Sequence, residues 1–563
     1  MMKNTALFKP TGRGKRILYL ALSGILTGLC VAFSTVIGGI AEWFTLIPAA
    51  LVMYSLSDED RRKIADKSGK SKRGGGILAV YGMGFFFFMA EYVPIYHWFF
   101  SMYPLDFTGM SRGYAAAVVL IGCFGMSFLA AGAGGLFFLL TVLTGKLPVM
   151  KKHTYLRAVA GAAAYSVFEW TMTHGWTGVP WGRLALGQMA TNFTPTVQTA
   201  SLFGSYFVTF IIVLFAFLVA DGLYSGKLKL RAAVALTLAL LNFAVGTVMY
   251  FVPTDAEGTL TVAAVQGNVS SRDKWDGDSS KTSLERYSAY TADAAKAGAD
   301  VVLWPETAFP FTVTEGSIYD GKFETLAKEN NVTVLVGCLG DGGGDLYQNV
   351  IRAYYPDGSE GEGERKEKEE YAKRRLVPFG EYLPWRTFFE TLVPPLTELA
   401  MLQEDLDPGT APDLITVDTR DGSEVKCGVL ICFDSIYEEL ARESVKNGAQ
   451  ILLLSTNDSW FGDSRAVWMH NDQARLRSIE NRRWTVRAAN TGVSSVIDEK
   501  GRVLAQLPPL EEGSLTQTAG TIRNTAPYTV TGNLWVWLCI AFLCLIPIPD
   551  ALLSAHKSSR REK

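Results

Sequence analysis

Three side chains in the C-terminal half are of types that together can open an ester or amide carbonyl. Glu306 stands in VVLWPET, Lys373 in YAKRRLVPFGEYLP and Cys432 in CGVLICFDSIYEEL. A thiol can attack a carbonyl carbon and keep the acyl group as a thioester, a carboxylate can carry the proton, and an ammonium can face the oxygen that becomes negative. No pair among them suffices. A free thiol near pKa 8.5 facing a carboxylate near 4.3 makes proton transfer uphill by about 4 units, or roughly 6 kcal/mol. Burial is expected to raise the carboxyl and the nearby ammonium to lower the thiol. Each residue also has an ordinary reading, as a solvated loop acid, a member of a charged face beside Arg374 and Arg375, and a core cysteine. Their combination favours the chemistry.

The elements that must position them begin near Thr259, where short β-branched runs alternate with amphipathic stretches in the manner of an α/β domain. Strands are expected over 259–266, 300–304, 332–338, 347–355, 412–417, 424–432, 450–455, 484–489 and 493–498, and helices over 281–297, 321–330, 434–446 and 465–483. Glu306 then falls just past the C-terminal end of an apolar strand, where open α/β sheets bind ligands. Cys432 closes an apolar strand that runs straight into a helical pattern, a turn that exposes a thiol near a helix N-terminus. Cys427, an odd number of residues earlier, is expected on the opposite face. Asp357-Gly358 and Asp421-Gly422 signal tight turns, and GSEGEGERKEKE at 358–369 reads as a solvated hairpin extension.

The first half has a different texture. Of 563 residues 48% are hydrophobic and only 19% charged, where a soluble chain carries about 25% charged residues. A formal charge of −2 argues against a nucleic-acid binder, and seven cysteines with no CxxC argue against a disulfide scaffold. About eight transmembrane helices are expected, near 17–37, 39–56, 77–100, 114–143, 157–173, 200–222, 231–252 and 533–554. Basic residues recur in alternate loops and at both ends, which places both termini in the cytoplasm. The chain then divides into a transmembrane bundle over 1–252, an extracytoplasmic catalytic domain over 253–532, and a last transmembrane helix with a cytoplasmic tail over 533–563. Glu169 is expected to make structural hydrogen bonds between helices, and Asp221 and His97 to be solvated at span ends. Phe388, Phe389, Leu392 and Leu396 form either a loop dipping into lipid or a segment packed on the domain.

VLWPET, YAKRRLVPFGEYLP and GVLICFD, followed by NDSWFGDS and RAANTGVSSVIDEKG, resemble the nitrilase, or carbon-nitrogen hydrolase, superfamily. Joined to a bundle carrying FEW, TGVPWGRLALGQ and LFGSYFVTF, the chain resembles the apolipoprotein N-acyltransferase family over nearly its whole length. The resemblance implies a nitrilase-like αββα sandwich outside the membrane, with Glu306 as general base, Lys373 at the oxyanion and Cys432 as nucleophile. It also implies supporting places at the site or its lipid-facing loops for Trp275 in VQGNVSSRDKWD, Glu381 in VPFGE, Phe433, Asp434, and Trp460 in NDSWFG. One departure is Phe433-Asp434, where the family commonly has Tyr-Glu.

The implied activity is ping-pong acyl transfer from a membrane phospholipid, through a cysteine thioester, to the α-amine of the N-terminal S-diacylglyceryl-cysteine of an apolipoprotein. Neither metal nor organic cofactor is called for. The implied partners are the phospholipid donor, the lipid-modified acceptor and the bilayer. A monomer in the cell's inner membrane is expected, its catalytic domain periplasmic or extracellular. Two alternatives stay open: a membrane-tethered amidase acting on a small amide, and an inactive membrane scaffold.

Overall fold

The structure is a computed structural model that describes residues 9–59, 75–105, 111–175, 178–270, 274, 277–342, 346–356, 369–392 and 405–548. The chain falls into two compact units, one of Met1–His97, Leu120–Val252 and Thr531–Lys563, the other of Trp98–Val119 and Pro253–Val530.

Among the described residues, each of the eight apolar runs contains helix. Six helices among the described residues are long and apolar enough to cross a membrane: Arg13–Phe33, Val36–Asp58, Gly76–Ile95, Arg112–Thr144, Ser205–Ser225 and Leu228–Phe251. Tyr155–Thr171 has 17 residues and Leu534–Leu545 has 12, short of the roughly 20 that a perpendicular crossing needs. Helix packing in the first unit relies on small residues. A Cβ on Gly28 would stand 2.1 Å from the Glu91 carbonyl oxygen, and one on Gly24 would stand 2.5 Å from that of Phe87. Lipid gives helices little hydrophobic reason to associate, so close backbone approach and its dispersion contacts carry the association.

Polar side chains inside this unit are partnered across helices. Glu169 accepts from the Leu184 N–H at 2.8 Å and the Thr209 hydroxyl at 2.6 Å, the structural bonding expected of it. Tyr165 donates to Glu91. Asp221 departs from expectation: it is buried and ion-paired with Arg231 Nε at 2.7 Å. The reason is the reversal after Ser225, where Gly226 adopts φ 73° and the next helix brings its first-turn arginine back over the carboxylate.

The described residues of the second unit form twelve strands: β1 (Gly258–Gln266), β2 (Val301–Leu303), β3 (Thr333–Asp341), β4 (Tyr347–Tyr354), β5 (Glu370–Ala372), β6 (Leu414–Asp418), β7 (Glu424–Ile431), β8 (Ile451–Thr456), β9 (Thr485–Ala489), β10 (Ser494–Ile497), β11 (Val503–Leu507) and β12 (Gly513–Thr521). They form two six-stranded sheets, ordered β12-β1-β2-β3-β4-β5 and β11-β10-β9-β8-β7-β6. The middle of each is parallel, β1-β2-β3 and β7-β8-β9, and the flanks are antiparallel. Alternate residues of both sheets, among them Leu260, Val262, Leu303, Val429, Ile431 and Leu453, meet in one buried inter-sheet core. The other face of the first sheet packs Val302, Trp304 and Val334 with Tyr287 of helix Gly277–Lys296 and Phe323 of helix Ile318–Asn330. Helices Glu438–Lys446 and Arg465–Asn481 accompany the second sheet. This is the αββα arrangement.

Three strands escaped the sequence reading. β12 reads GSLTQTAGT, with little apolar content, and is held by antiparallel pairing along the whole of β1. β5 is only three residues long, and β11 lies at a sheet edge. Asp421-Gly422 makes the turn between β6 and β7, with Gly422 at φ 83°. Asp357-Gly358 and all of the 358–369 segment except Glu369 lie outside the described residues.

Gly28→Val is expected to cost about 1–3 kcal/mol by forcing apart helices Arg13–Phe33 and Gly75–Ile95. Thermal unfolding of the detergent-solubilised chain measures it, with exposed Gly76 as the control position.

Candidate active site

β2 ends at Leu303, and the next residues turn inward. Trp304 stacks on Tyr287 at 5.0 Å, its Nε1 donates to the Thr291 hydroxyl at 3.0 Å, and its carbonyl accepts from Ser455 Oγ at 2.9 Å. The Pro305 carbonyl then crosses β3 so closely that a Cβ on Gly337 would stand 2.1 Å from it. Only glycine allows that path, and the path delivers the Glu306 carboxylate into the buried interior.

Glu306 Oε1 accepts from Lys373 Nζ and from Asn349 Nδ2, both at 2.8 Å, and Oε2 accepts from the Asn457 N–H at 3.0 Å. Lys373 follows β5 and is fixed by its own backbone, donating to the Asn349 carbonyl and accepting from Gly409 N–H, each at 2.8 Å. Its ammonium also meets Glu381 Oε1 at 2.8 Å. Glu381 closes the VPFGE loop by accepting from Val377 N–H at 2.8 Å, and Asn349 Nδ2 reaches it at 3.0 Å. Glu306, Lys373 and Glu381 therefore converge.

Cys432 opens a short 3-10 turn, Cys432–Ile436, directly after β7. Its φ is 47°, a left-handed conformation that is costly for a residue with a Cβ. The half-buried thiol packs against the inter-sheet core that also holds Cys427, not on the opposite side. Strand alternation stops at Ile431, and the positive φ redirects the next side chain. Cys338 and Cys427 are buried free thiols, as expected of core cysteines.

Asp434 has a full polar role despite its short side chain. Oδ1 accepts from the N–H groups of Arg375 at 2.8 Å and Arg374 at 3.2 Å, and Oδ2 accepts from Tyr371 OH at 2.9 Å and Ile431 N–H at 3.1 Å. It joins the lysine segment to the cysteine turn. Phe433 is buried and meets Tyr437 edge-on at 5.5 Å. Trp460 is half-buried in the turn Ser459–Phe461, where Trp98 packs edge-on against Phe461 at 5.0 Å and Ser101 Oγ donates to its carbonyl at 3.1 Å. Trp275 and Leu396 lie outside the described residues. Trp385 and Phe388 are exposed, on and beside helix Arg386–Leu392.

Residues that the sequence reading missed complete the surroundings. Lys274 donates Nζ to the Glu306 carbonyl at 2.9 Å. Behind the cysteine turn, His470 Nδ1 meets Asp458 Oδ1 at 2.9 Å, and its Nε2 lies 2.9 Å from Ser435 Oγ and 3.1 Å from the Cys432 carbonyl. Ligand atoms of Cys432, Asp458 and His470 lie within 4.8 Å of one another, as around a metal ion. Arg487 Nη2, however, sits 2.5 Å from Asp458 Oδ2 and 3.2 Å from His470 Nδ1. A buried guanidinium already supplies the positive charge there, so the donor set fits a hydrogen-bond network rather than a metal centre. The advance signals for this group were the NDSW motif containing Asp458 and the RAANTG motif that begins at Arg487; His470 had none.

The resting electrostatics reverse the expected directions. Burial pushes the Glu306 carboxyl up, yet Lys373, Lys274 and Asn349 outweigh it and hold the group below its ordinary range. Burial pushes the Lys373 ammonium down, but Glu306 and Glu381 keep it well above its usual value. Burial and the Glu306 charge drive the Cys432 thiol well up, against the opposing pull of Lys373. Burial lowers Lys274 to about 8 and raises Asp434 to about 6.

Residues 261–524 match the carbon-nitrogen hydrolase family, and residues 23–218 match the apolipoprotein N-acyltransferase N-terminal domain. The chain is 30% identical over 455 residues to the apolipoprotein N-acyltransferase of Geobacter metallireducens, covering 73% of this chain and 83% of that one. It is 30% identical over 450 residues to that of Haemophilus influenzae, covering 75% and 83%, and 28% identical over 389 residues to that of Vibrio cholerae, covering 68% and 74%.

Asp434→Asn is expected to destabilise the protein by about 1–3 kcal/mol, because an amide N–H would then face N–H or O–H donors on one side. Thermal unfolding reads this loss, and acyl-transfer rate at a temperature where the variant is folded should fall with it.

Proposed function

The chain belongs to the apolipoprotein N-acyltransferase family, and from that premise we propose that Cys432 carries an acyl chain from a membrane phospholipid to the α-amine of the S-diacylglyceryl-cysteine that begins an apolipoprotein. The observation that supports this most is a thiol on a left-handed turn at the end of β7, within electrostatic reach of the Glu306–Lys373 pair.

The resting site holds a neutral thiol and an ionised Glu306, so the thiolate forms only as the attack proceeds. The S–H proton moves to Glu306 while sulfur bonds to the ester carbon and the carbonyl electrons shift onto oxygen. Protonation of Glu306 neutralises one of the two carboxylates that hold Lys373, releasing part of that ammonium's field to the new oxyanion. Collapse breaks the ester C–O bond, and Glu306 returns its proton to the departing lysophospholipid oxygen, leaving the thioester. In the second half the neutral acceptor amine attacks that carbonyl and Glu306 takes its proton. The C–S bond then breaks and Glu306 passes that proton to the departing sulfur, restoring the thiol and the carboxylate. The sum is ester plus amine to amide plus alcohol. Asn349 and the Asn457 N–H keep the carboxylate aimed through both halves.

Drawing a 16-carbon chain into water would cost about 0.8 kcal/mol per methylene, on the order of 12 kcal/mol in all, so the reaction belongs at a bilayer surface. Our reading is a monomer spanning the cell membrane several times, both termini cytoplasmic and residues 253–532 outside. The alternating basic loops support that orientation. Exposed Trp385 and Phe388 support a lipid-facing segment after the lysine motif.

Purified protein incubated with phospholipid and a diacylated lipopeptide is expected to yield triacylated lipopeptide, and mass spectrometry is expected to find one acyl chain on Cys432. C432A should abolish both, and K373M should slow product formation by at least roughly 100-fold. Release of free fatty acid without triacyl product would identify a hydrolase instead, and an undiminished C432A would remove the sulfur from the mechanism.

A further inference from the structure

Lys274 lies outside the residues to which the chemistry above gives a role, yet it is 4% exposed and shares their interior. A lysine is almost never buried this far without a purpose for its charge, because the lost hydration must be offset by partners. Its Nζ donates to the Glu306 carbonyl at 2.9 Å, and its N–H is anchored on the Ser270 carbonyl at 3.0 Å. The charged and titratable groups facing it come from three separate strand ends: Glu306 after β2, Lys373 after β5 and Cys432 after β7.

The charges around Lys373 do not balance without it. Glu306 and Glu381 bring two carboxylates to one ammonium. A thiolate or oxyanion forming there would meet a site already negative, in surroundings where burial magnifies that repulsion. Asp434 adds a further buried carboxylate within reach of Lys373, and a second ammonium beside Glu306 offsets part of this negative charge. The hydrogen bond from Nζ also fixes the peptide on the far side of the Glu306 Cα, opposing any rotation of the carboxylate away from Asn457 and Asn349.

We infer that Lys274 is a positioning residue for acyl transfer, fixing the Glu306 main chain and supplying a second positive charge beside the Glu306 carboxylate and the Cys432 sulfur. The inference rests on the reading of Glu306, Lys373 and Cys432 given above. Burial lowers the Lys274 ammonium to about 8, whereas Lys373 is held well above its usual value. Lys274 is therefore charged below about pH 8 and loses its charge above it, which gives turnover an alkaline limb at that pH.

The test is the pH profile of triacyl-lipopeptide formation by the full chain and its K274M and K274R variants, with phospholipid as donor. K274M is expected to lower kcat roughly 10- to 100-fold at neutral pH, with KM for the lipopeptide within about threefold, and to lose the alkaline limb. K274R keeps its charge and is expected to retain most of the rate, with the limb displaced upward by more than about one pH unit. A merely structural lysine would change the amount of folded enzyme without moving the limb. Wild-type kcat in K274M, or an unmoved limb in K274R, overturns the inference, and the K274R limb decides the matter alone if K274M does not fold. Thioester formation abolished by C432A in the same preparations separates the two readings: its persistence defeats the cysteine mechanism, whereas an inert Lys274 beside a dead C432A defeats only this one.

Discussion

The Lys373 ammonium lies buried between the carboxylates of Glu306 and Glu381. A buried ion pair is expensive to desolvate, and it is tolerable only where geometry is fixed and the remaining lone pairs are satisfied. Much of the second unit's local structure meets that demand. Gly337 admits the Pro305 carbonyl, Asn349 bridges both carboxylates, and Asn457 and Val377 donate backbone N–H groups to the outward oxygens. Removing one member would leave uncompensated charge in a dry interior, so the cluster constrains the ends of β2 and β4, the segment after β5 and the loop after β8 together.

That cluster also explains why the thiol rests neutral. The same ammonium that would favour a thiolate is already engaged by two carboxylates, and the negative Glu306 opposes a second negative charge beside it. In the proposed mechanism, nucleophilicity is thereby tied to arrival of a carbonyl able to take up the charge. A thiol in this condition is a poor target for stray oxidants, since the reactive form is the thiolate.

Glu306 and Cys432 were legible because each ends an apolar strand, where chain direction and sheet topology force a side chain toward the C-terminal edge. Lys373 was legible through its motif rather than through any strand pattern, since β5 is three residues long. The supporting groups were hidden for a physical reason. Asn349, Lys274, Asp458, His470 and Arg487 lie on different elements, and no spacing along the chain registers their meeting. β12 was hidden because backbone pairing with β1, not apolar content, makes it a strand. The pKa directions needed the actual partners of each group: Glu306 has two ammonium groups acting on it, and Cys432 has a carboxylate. Phe433-Asp434 shows the same limit, because the worth of the shorter acid depended on four donors spread from Ile431 to Tyr371.

Asp434 has one further consequence. β5 and β7 belong to different sheets, and this carboxylate rivets the segment following one to the turn following the other. Together with Gly409, it sets the placement of Lys373 from the downstream side. Any slip of one sheet against the other would therefore be felt at the ammonium, because a single carboxylate couples the two layers at that point.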